Sequence, residues 1–346
     1  MRFVIQGVSR SPRPGPIPQR LAAAVAAVSL AGGIVLGFPG QGLTQADGTG
    51  AASPTACRIV NAVAEPVVAA DPAVSPVASP VASPVIGDLA TPVASPVAEA
   101  EPADPDAPLL DELAATSGAL LACLNERNFE LYAQLTSDTF RGQLFGSGQP
   151  LPADEFAVLA ESFADTDNRI VEVAAFERID DVTASVEVTY VSAFQQRTGI
   201  WTFAKEVVDG LDIWILQGEE VIPSDIPEGA ATIDVTFEDN GYALDPASVA
   251  SADVVLNLAN PTGEDHEALV LSFEDGVTTD TLLQSTSASL PEGVSLVGQA
   301  TVLAGGEGTM LLTGLAPGEY TIVDLFLDEN GNPHLSSGMM ATFTVE

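Results

Sequence analysis

The sequence predicts two folded domains, an α+β domain followed by an all-β Greek-key sandwich, behind a long N-terminal segment. From about residue 107 apolar residues recur at helical spacing, and from about residue 169 they alternate with polar ones, which indicates helices followed by strands. After residue 230, short alternating runs are separated by turn residues at the spacing typical of a β-sandwich.

Residues 1–46 are predicted to be a signal peptide or a retained signal anchor. An uncharged apolar run extends from Leu21 to Phe38, arginines precede it, and Thr44-Gln-Ala46 beyond it offers a small-x-small cleavage site. Cleavage and retention both stay open. In either case we expect the rest of the chain to lie outside the cytoplasm and to meet the membrane only through this segment.

Residues 47–106 are predicted to be a disordered linker rich in Pro, Ala, Val and Ser. The repeat Ser-Pro-Val-Ala begins at Ser75, and its prolines remove amide donors and favour an extended polyproline-II conformation. At about 3.1 Å per residue, such a linker would hold the folded part on the order of 100 Å from the membrane. Cys57 and Cys123 flank the repeat and are candidates for a disulfide outside the cytoplasm.

The α+β domain is predicted to span residues 107–225. We expect a first helix that carries Leu110 to Leu124, a second from Phe129 to Phe145 and a third after Pro152. Four strands follow, at about 169–176, 182–190, 199–207 and 211–217, and Asp209-Gly210 between the last two is a hairpin signal.

A resemblance refines this prediction. The stretch Leu120 to Phe129, followed by Leu135 to Phe140, resembles the opening helices of the nuclear-transport-factor-like fold, also called the ketosteroid-isomerase-like fold. The resemblance implies a cone-shaped domain that encloses a pocket. Several polar side chains could face such a pocket, but no motif places them and we assign no catalytic residue; they are Tyr132, Tyr190, Asp138 and Asp165.

The second domain is predicted to span residues 230–346, and Leu315 to Tyr320 has the pattern of a tyrosine corner. The stretches from Asn257 to Leu271 and from Gly318 to Met340 resemble the two copper-ligand regions of cupredoxins. The resemblance implies that His266, His334 and Met339 match the two histidines and the methionine of that family. Asp324 stands where the family has its cysteine.

This substitution weakens the family's chemistry, because a blue-copper centre needs a thiolate. The residual set His266, Asp324, His334 and Met339 could hold copper or zinc in a non-blue site. Alternatively the site is a relic, in which Asp324 is a solvated strand residue, Asn330-Gly331 is an ordinary type I′ hairpin turn, and His334 lies on the surface after Pro333. Acidic residues beside the first histidine would favour a cation; they are Glu264, Asp265 and Glu267.

Charge narrows the choice of partners. The formal net charge is −37, and no Lys or Arg follows Lys205. Such a chain repels phosphate backbones, so nucleic-acid binding is excluded, whereas a metal cation, a basic protein or a cell-surface partner would be attracted. We expect a non-enzymatic binding or interaction protein, with a metal-binding protein and a pocket enzyme of the first domain as the alternatives.

Overall fold

The computed structural model describes residues 56–59, 107–146, 148–163, 166–208, 210–285 and 289–346. The predicted signal segment and nearly all of the predicted linker lie outside these residues. Among the helices that the structure does describe, none is both long and apolar enough to cross a membrane.

The N-terminal region begins with four helices and continues with four long strands. The helices are α1 (Ala107–Asn125), α2 (Phe129–Gln134), α3 (Asp138–Leu144) and α4 (Ala153–Ala160). The strands are β1 (Asn168–Arg178), β2 (Thr183–Ser192), β3 (Gln195–Val208) and β4 (Leu211–Ile222), and they pair antiparallel in chain order.

The single helix predicted from Phe129 to Phe145 is wrong, because the chain breaks between α2 and α3. The Ser137 hydroxyl accepts a hydrogen bond from the Phe140 amide (3.2 Å) and caps α3. The preceding residue, Thr136, forms a parallel bridge with Leu216 of β4. The break therefore ties the helices to the edge of the sheet.

One aromatic-rich core joins these helices to the sheet. Its largest members have exposed fractions of 3% or less, and they are Phe156, Trp201, Phe203 and Trp214. The side chains that line the inner face of the sheet therefore fill the space between the sheet and the helices.

The C-terminal region is built almost entirely of short strands. They are β5 (Ala231–Glu238), β6 (Gly241–Asp245), β7 (Ser248–Val249), β8 (Val254–Ala259), β9 (His266–Phe273), β10 (Val294–Val302), β11 (Glu307–Leu312), β12 (Gly318–Val323) and β13 (Met340–Val345). A short helix, α5 (Thr279–Gln284), lies between β9 and β10.

These strands form a β-sandwich. One of its sheets has the order β10-β9-β12-β13-β7, and the other contains β11, β8, β5 and β6. Aliphatic side chains from both sheets make one core between them. The predicted tyrosine corner is confirmed, because the Tyr320 hydroxyl donates to the Ala316 carbonyl (2.7 Å).

One sheet runs through both regions, which the sequence did not suggest. Strand β11 pairs with β3, so the eight strands β1–β6, β8 and β11 are continuous. The Gln195 side chain of β3 accepts from the Gln299 amide of β10 (3.0 Å), and Arg197 donates to the Gln299 carbonyl (3.0 Å). Hydrogen bonds thus cross the predicted boundary between residues 225 and 230.

A disulfide joins Cys57 to Cys123, which lie 66 positions apart in the sequence. Cys123 is fully buried on α1, and Cys57 packs against the same core. The Cys57 amide donates to Glu126 (3.2 Å). The disulfide therefore fixes a short piece of the N-terminal segment on the first helix.

Candidate metal centre

Asp324 is held at the end of β12 by its own loop. Its amide donates to the Met339 carbonyl (3.2 Å), and its carbonyl accepts from the Leu335 amide (2.7 Å). One carboxylate oxygen, Oδ1, accepts from the Phe326 amide (2.8 Å). Asp324 is fully buried, so the interpretation as a solvated strand residue is wrong.

The two histidines come from separate segments. His266 is the first residue of β9, and His334 begins a single turn of 3-10 helix after Pro333. Their exposed fractions are 4% and 7%. The interpretation of His334 as a surface residue is therefore also wrong, because the loop folds back and covers the ring.

A hairpin turn does precede His334, since Leu327 and Pro333 form an antiparallel bridge and the Gly331 amide donates to the Asp328 carbonyl (2.9 Å). The pair Asn330-Gly331 is not the type I′ turn of the relic interpretation, because Asn330 lacks the positive φ that such a turn requires. The Asp328 carboxylate accepts from the amides of Asn330 and Asn332 (2.8 Å each), and Gly331 has a positive φ of 81°. The backbone amides are thus tied to a side chain of the same loop. This fixes the loop beside the histidine.

Both imidazoles converge on one carboxylate oxygen. The distance from Asp324 Oδ2 is 2.7 Å to His266 Nδ1 and 2.9 Å to His334 Nδ1. The ring centroids of the two histidines are 5.0 Å apart, and Phe237 stacks on His266 at 5.7 Å. The three side chains form a buried cluster whose ligand atoms all lie within 4.8 Å of one another.

The contacts with Asp324 bear on which ring nitrogen carries a hydrogen. An ionised carboxylate only accepts hydrogen bonds, so with Asp324 ionised each Nδ1 would carry a hydrogen and donate to Asp324 Oδ2. In the neutral ring the other nitrogen, Nε2, then presents a lone pair. This arrangement is the one that orients histidine ligands in metal sites, where a carboxylate accepts from the nitrogen that does not bind the ion.

Further ionisable groups surround the cluster. Burial and then the negative charge of Asp324 raise the pKa of Glu267 to about 7, while its hydrogen bonds to Gln299 and Leu325 act in the opposite direction. Burial also raises the pKa of Tyr242 well above its usual range, and the charges of Asp324 and Glu267 add to this effect. The centre therefore lies in a strongly acidic part of the sandwich.

Met339 contributes backbone contacts. Its amide donates to the His334 carbonyl (3.2 Å), and its side chain, 1% exposed, belongs to the aliphatic core between the sheets. The role of Met339 as a metal ligand stays a prediction.

An acidic pocket opens beside His334. It has a volume of about 520 Å³ and is lined by Glu264, Asp265, Phe326, Leu327, Asp328, Glu329 and His334. The nearest carboxylate oxygen to His334 Nε2 is Oε2 of Glu264, at 3.6 Å. Of the three acids predicted near the first histidine, two therefore lie in this pocket and the third, Glu267, is buried.

In the N-terminal region the structure shows a cluster that the sequence did not indicate. Glu219 of β4 accepts from the Tyr190 hydroxyl (3.0 Å) and from the Trp201 indole (3.1 Å) through one oxygen. Gly199 leaves room for this side chain, because a Cβ there would lie 2.6 Å from Glu219 Oε1. Only the strand register, which contains a bulge at Thr202, brings these residues together.

The other polar candidates of this region are dispersed. Tyr132 is buried and stacks on Phe156 (5.5 Å), and burial, with the charge of Glu219, raises its pKa. Asp138 forms an ion pair with Arg141. Asp165 lies outside the described residues.

No family model and no curated protein matches the chain. Solved structures that resemble parts of it include an auracyanin from Roseiflexus castenholzii, 20% identical, TM-score 0.26, covering 34% of this chain and 99% of that one. A putative ketosteroid isomerase from Kribbella flavida is 17% identical, TM-score 0.23, covering 35% and 84%. A putative kinase II association domain from Xanthomonas campestris is 18% identical, TM-score 0.22, covering 34% and 87%. Since these likenesses are weak, the geometry of the site has to carry any functional conclusion.

Proposed function

We propose that this chain is an extracytoplasmic, non-enzymatic metal-binding protein. Its centre is the cluster His266, Asp324 and His334, and its ion is Zn(II) or Cu(II) in a non-blue site. The observation that carries the proposal is the convergence of two buried imidazoles on one buried carboxylate oxygen. Imidazole and carboxylate are ligands that both ions accept.

The donor set argues against electron transfer through a blue-copper centre. The chain has two cysteines, and both belong to the disulfide between Cys57 and Cys123. A thiolate is therefore unavailable to copper, and the sulfur-to-copper charge transfer of blue sites cannot arise. The cupredoxin-like sandwich is, in this proposal, a degenerate one.

The N-terminal region supports a role without catalysis. We assign it a cone-like fold, in which the inner face of the sheet packs against the helices. Trp201, Phe203 and Trp214 fill that interior, where a pocket enzyme would need space for a substrate. The region then acts as a support or an interaction surface for the sandwich.

The proposed compartment rests on the disulfide, because such bonds persist in oxidising surroundings. The predicted tether to a membrane and the predicted basic or cell-surface partner remain proposals. The acidic surface of the chain is the feature that would attract such a partner.

Titration calorimetry of the full chain with Zn²⁺ and, separately, Cu²⁺ tests the proposal. We expect one high-affinity ion per chain and a Cu²⁺ complex without intense blue colour. His266→Ala together with His334→Ala should abolish this binding, while the paired control Glu307→Gln with Glu319→Gln should leave it unchanged. If the double histidine variant keeps a native circular dichroism spectrum and binds as tightly as the parent, the proposal is wrong.

A further inference from the structure

We infer that the ion binds on the solvent side of His334, between its Nε2 atom and the carboxylate of Glu264. In this arrangement Asp324 orients the ring and is not itself a ligand. The inference rests on the proposed function and narrows its ligand set, because of the three residues of the centre it keeps only His334 as a ligand and adds Glu264.

The inner face of the centre, which is the space between the Nδ1 atoms of the two histidines, is already filled. The atom that lies between the two Nδ1 nitrogens is Asp324 Oδ2, which accepts a hydrogen bond from each ring at 2.7 and 2.9 Å. An ion placed there would have to displace this oxygen and two hydrogens. The second oxygen of Asp324 is bound to the Phe326 amide (2.8 Å), which holds the carboxylate in place.

The outer face offers a matched pair of donors. His334 Nδ1 lies 2.9 Å from Asp324 Oδ2, and when it donates there Nε2 presents the lone pair on the side of Glu264. Glu264 Oε2 lies 3.6 Å from this nitrogen, too far for a hydrogen bond. With Zn–N and Zn–O bonds of about 2.0 to 2.2 Å, two ligands of a tetrahedral ion stand about 3.4 Å apart. The Glu264 side chain is 61% exposed and can make the small adjustment.

The space around these donors suits a hydrated cation. His334 lies among the lining residues of a pocket of about 520 Å³ whose other charged members are all acidic: Glu264, Asp265, Asp328 and Glu329. No Lys or Arg follows Lys205 in the sequence, so the sandwich itself supplies no cation to neutralise them. Water can complete the coordination shell, as it does at the open position of catalytic zinc sites.

Nitrogen NMR of the uniformly ¹⁵N-labelled full chain, without an affinity tag, distinguishes the two faces. The chain has two histidines, so long-range ¹H–¹⁵N spectra contain four ring nitrogens. On addition of Zn²⁺ alone, we expect His334 Nε2 to shift while the hydrogens on both Nδ1 atoms persist.

Loss of the Nδ1 hydrogens on both rings would place the ion on the inner face, which would overturn this inference and leave the proposed function standing. A Zn²⁺ titration that shifts no imidazole nitrogen would overturn both.

A carboxylate substitution provides a second test. Glu264→Gln keeps the size of the side chain and does not touch Asp324, so the fold should be retained. We expect Zn²⁺ affinity to fall about tenfold or more, in the range seen when groups around a metal are removed. Glu319→Gln, at the other end of β12 and exposed, is the matched control. Equal Zn²⁺ affinities of the two variants would contradict the inference.

Discussion

The two regions of the molecule each contain a carboxylate that accepts two side-chain hydrogen bonds through one oxygen. In the N-terminal region Glu219 accepts from Tyr190 and Trp201, and in the sandwich of the C-terminal region Asp324 accepts from His266 and His334. The donors differ in whether they can also bind a metal ion through nitrogen. A phenol has no nitrogen and the indole nitrogen only donates, whereas a neutral imidazole that donates through one nitrogen keeps a lone pair on the other.

The same hydrogen-bond pattern thus has different chemical consequences. Around Glu219 the aromatic rings join the core, and the carboxylate serves to satisfy buried donors. Around Asp324 the rings are oriented so that a second nitrogen remains for a ligand. Whether a buried carboxylate of this kind belongs to a metal site therefore depends on which side chains donate to it.

The largest effect should come from Asp324→Ala. This variant leaves two buried imidazole N–H groups and the Phe326 amide without an acceptor, and we expect a loss of about 3–5 kcal/mol in the free energy of unfolding. Chemical denaturation followed by circular dichroism measures it. Asp324→Asn, which keeps an acceptor oxygen, should lose less; a loss below about 1 kcal/mol for the alanine variant would show that the histidines have other partners.

A substitution in the sandwich tests whether the two regions are coupled. A Cβ at Gly298 would lie 2.7 Å from Leu312 Cδ2 and 2.8 Å from Met310 Sδ, so Gly298→Ala should cost about 1–3 kcal/mol through overpacking. The two tryptophans of the chain, Trp201 and Trp214, lie in the N-terminal region. If the shared sheet makes unfolding cooperative, tryptophan fluorescence should shift to a lower denaturant midpoint.

The matched control for this test is Gly308→Ala on β11, where the added Cβ would meet Val302 at 3.5 Å, an ordinary contact. We expect little change in the midpoint. A Gly298→Ala midpoint that falls by circular dichroism but not by fluorescence would mean that the two regions unfold separately.

A smaller effect is expected from Glu219→Ala. The Tyr190 hydroxyl and the Trp201 indole would lose their acceptor. Because Glu219 is only partly buried, water can replace some of the lost hydrogen bonding, so the free energy of unfolding should fall by about 1–2 kcal/mol. Zn²⁺ affinity should stay unchanged in calorimetry. A weakened metal site would show that the two carboxylates are not independent.

The smallest effect should come from Tyr320→Phe, which removes the hydrogen bond to the Ala316 carbonyl (2.7 Å). The expected loss is about 1 kcal/mol, because the residue still packs against Phe343. Urea denaturation of the variant measures the loss. Tyr242→Phe, which removes a hydrogen bond to the Glu267 carbonyl, provides a comparison from a tyrosine of the same region whose hydroxyl hydrogen bond is buried.

The residues of the centre could be selected from the sequence because the chain has so few histidines. The burial of these residues could not be predicted from the sequence, because an aspartate after a strand usually meets solvent. Asp324 is enclosed only because the loop returns and the Leu335 amide donates to its carbonyl. The capping pattern at Ser137 did carry a local signal for the helix break.

The pairing of β3 with β11 and the contact between Trp201 and Glu219 had no comparable signal in the sequence. Both depend on which strand edges meet, and that is decided by tertiary packing and a strand irregularity at Thr202. Alternating residues define a strand and its faces but do not identify its partner.

If the predicted N-terminal segment is retained in a membrane, the disulfide between Cys57 and Cys123 limits how far the folded part can stand from it. Because both ends of residues 58–122 are fastened to each other, the proline-rich repeat belongs to a closed covalent ring, and its length adds nothing to the distance. Only residues 39–56 then separate the predicted apolar segment from Cys57, and at full extension they span about 60 Å. In an anchored chain, reduction of this one bond would release the repeat and more than double that reach.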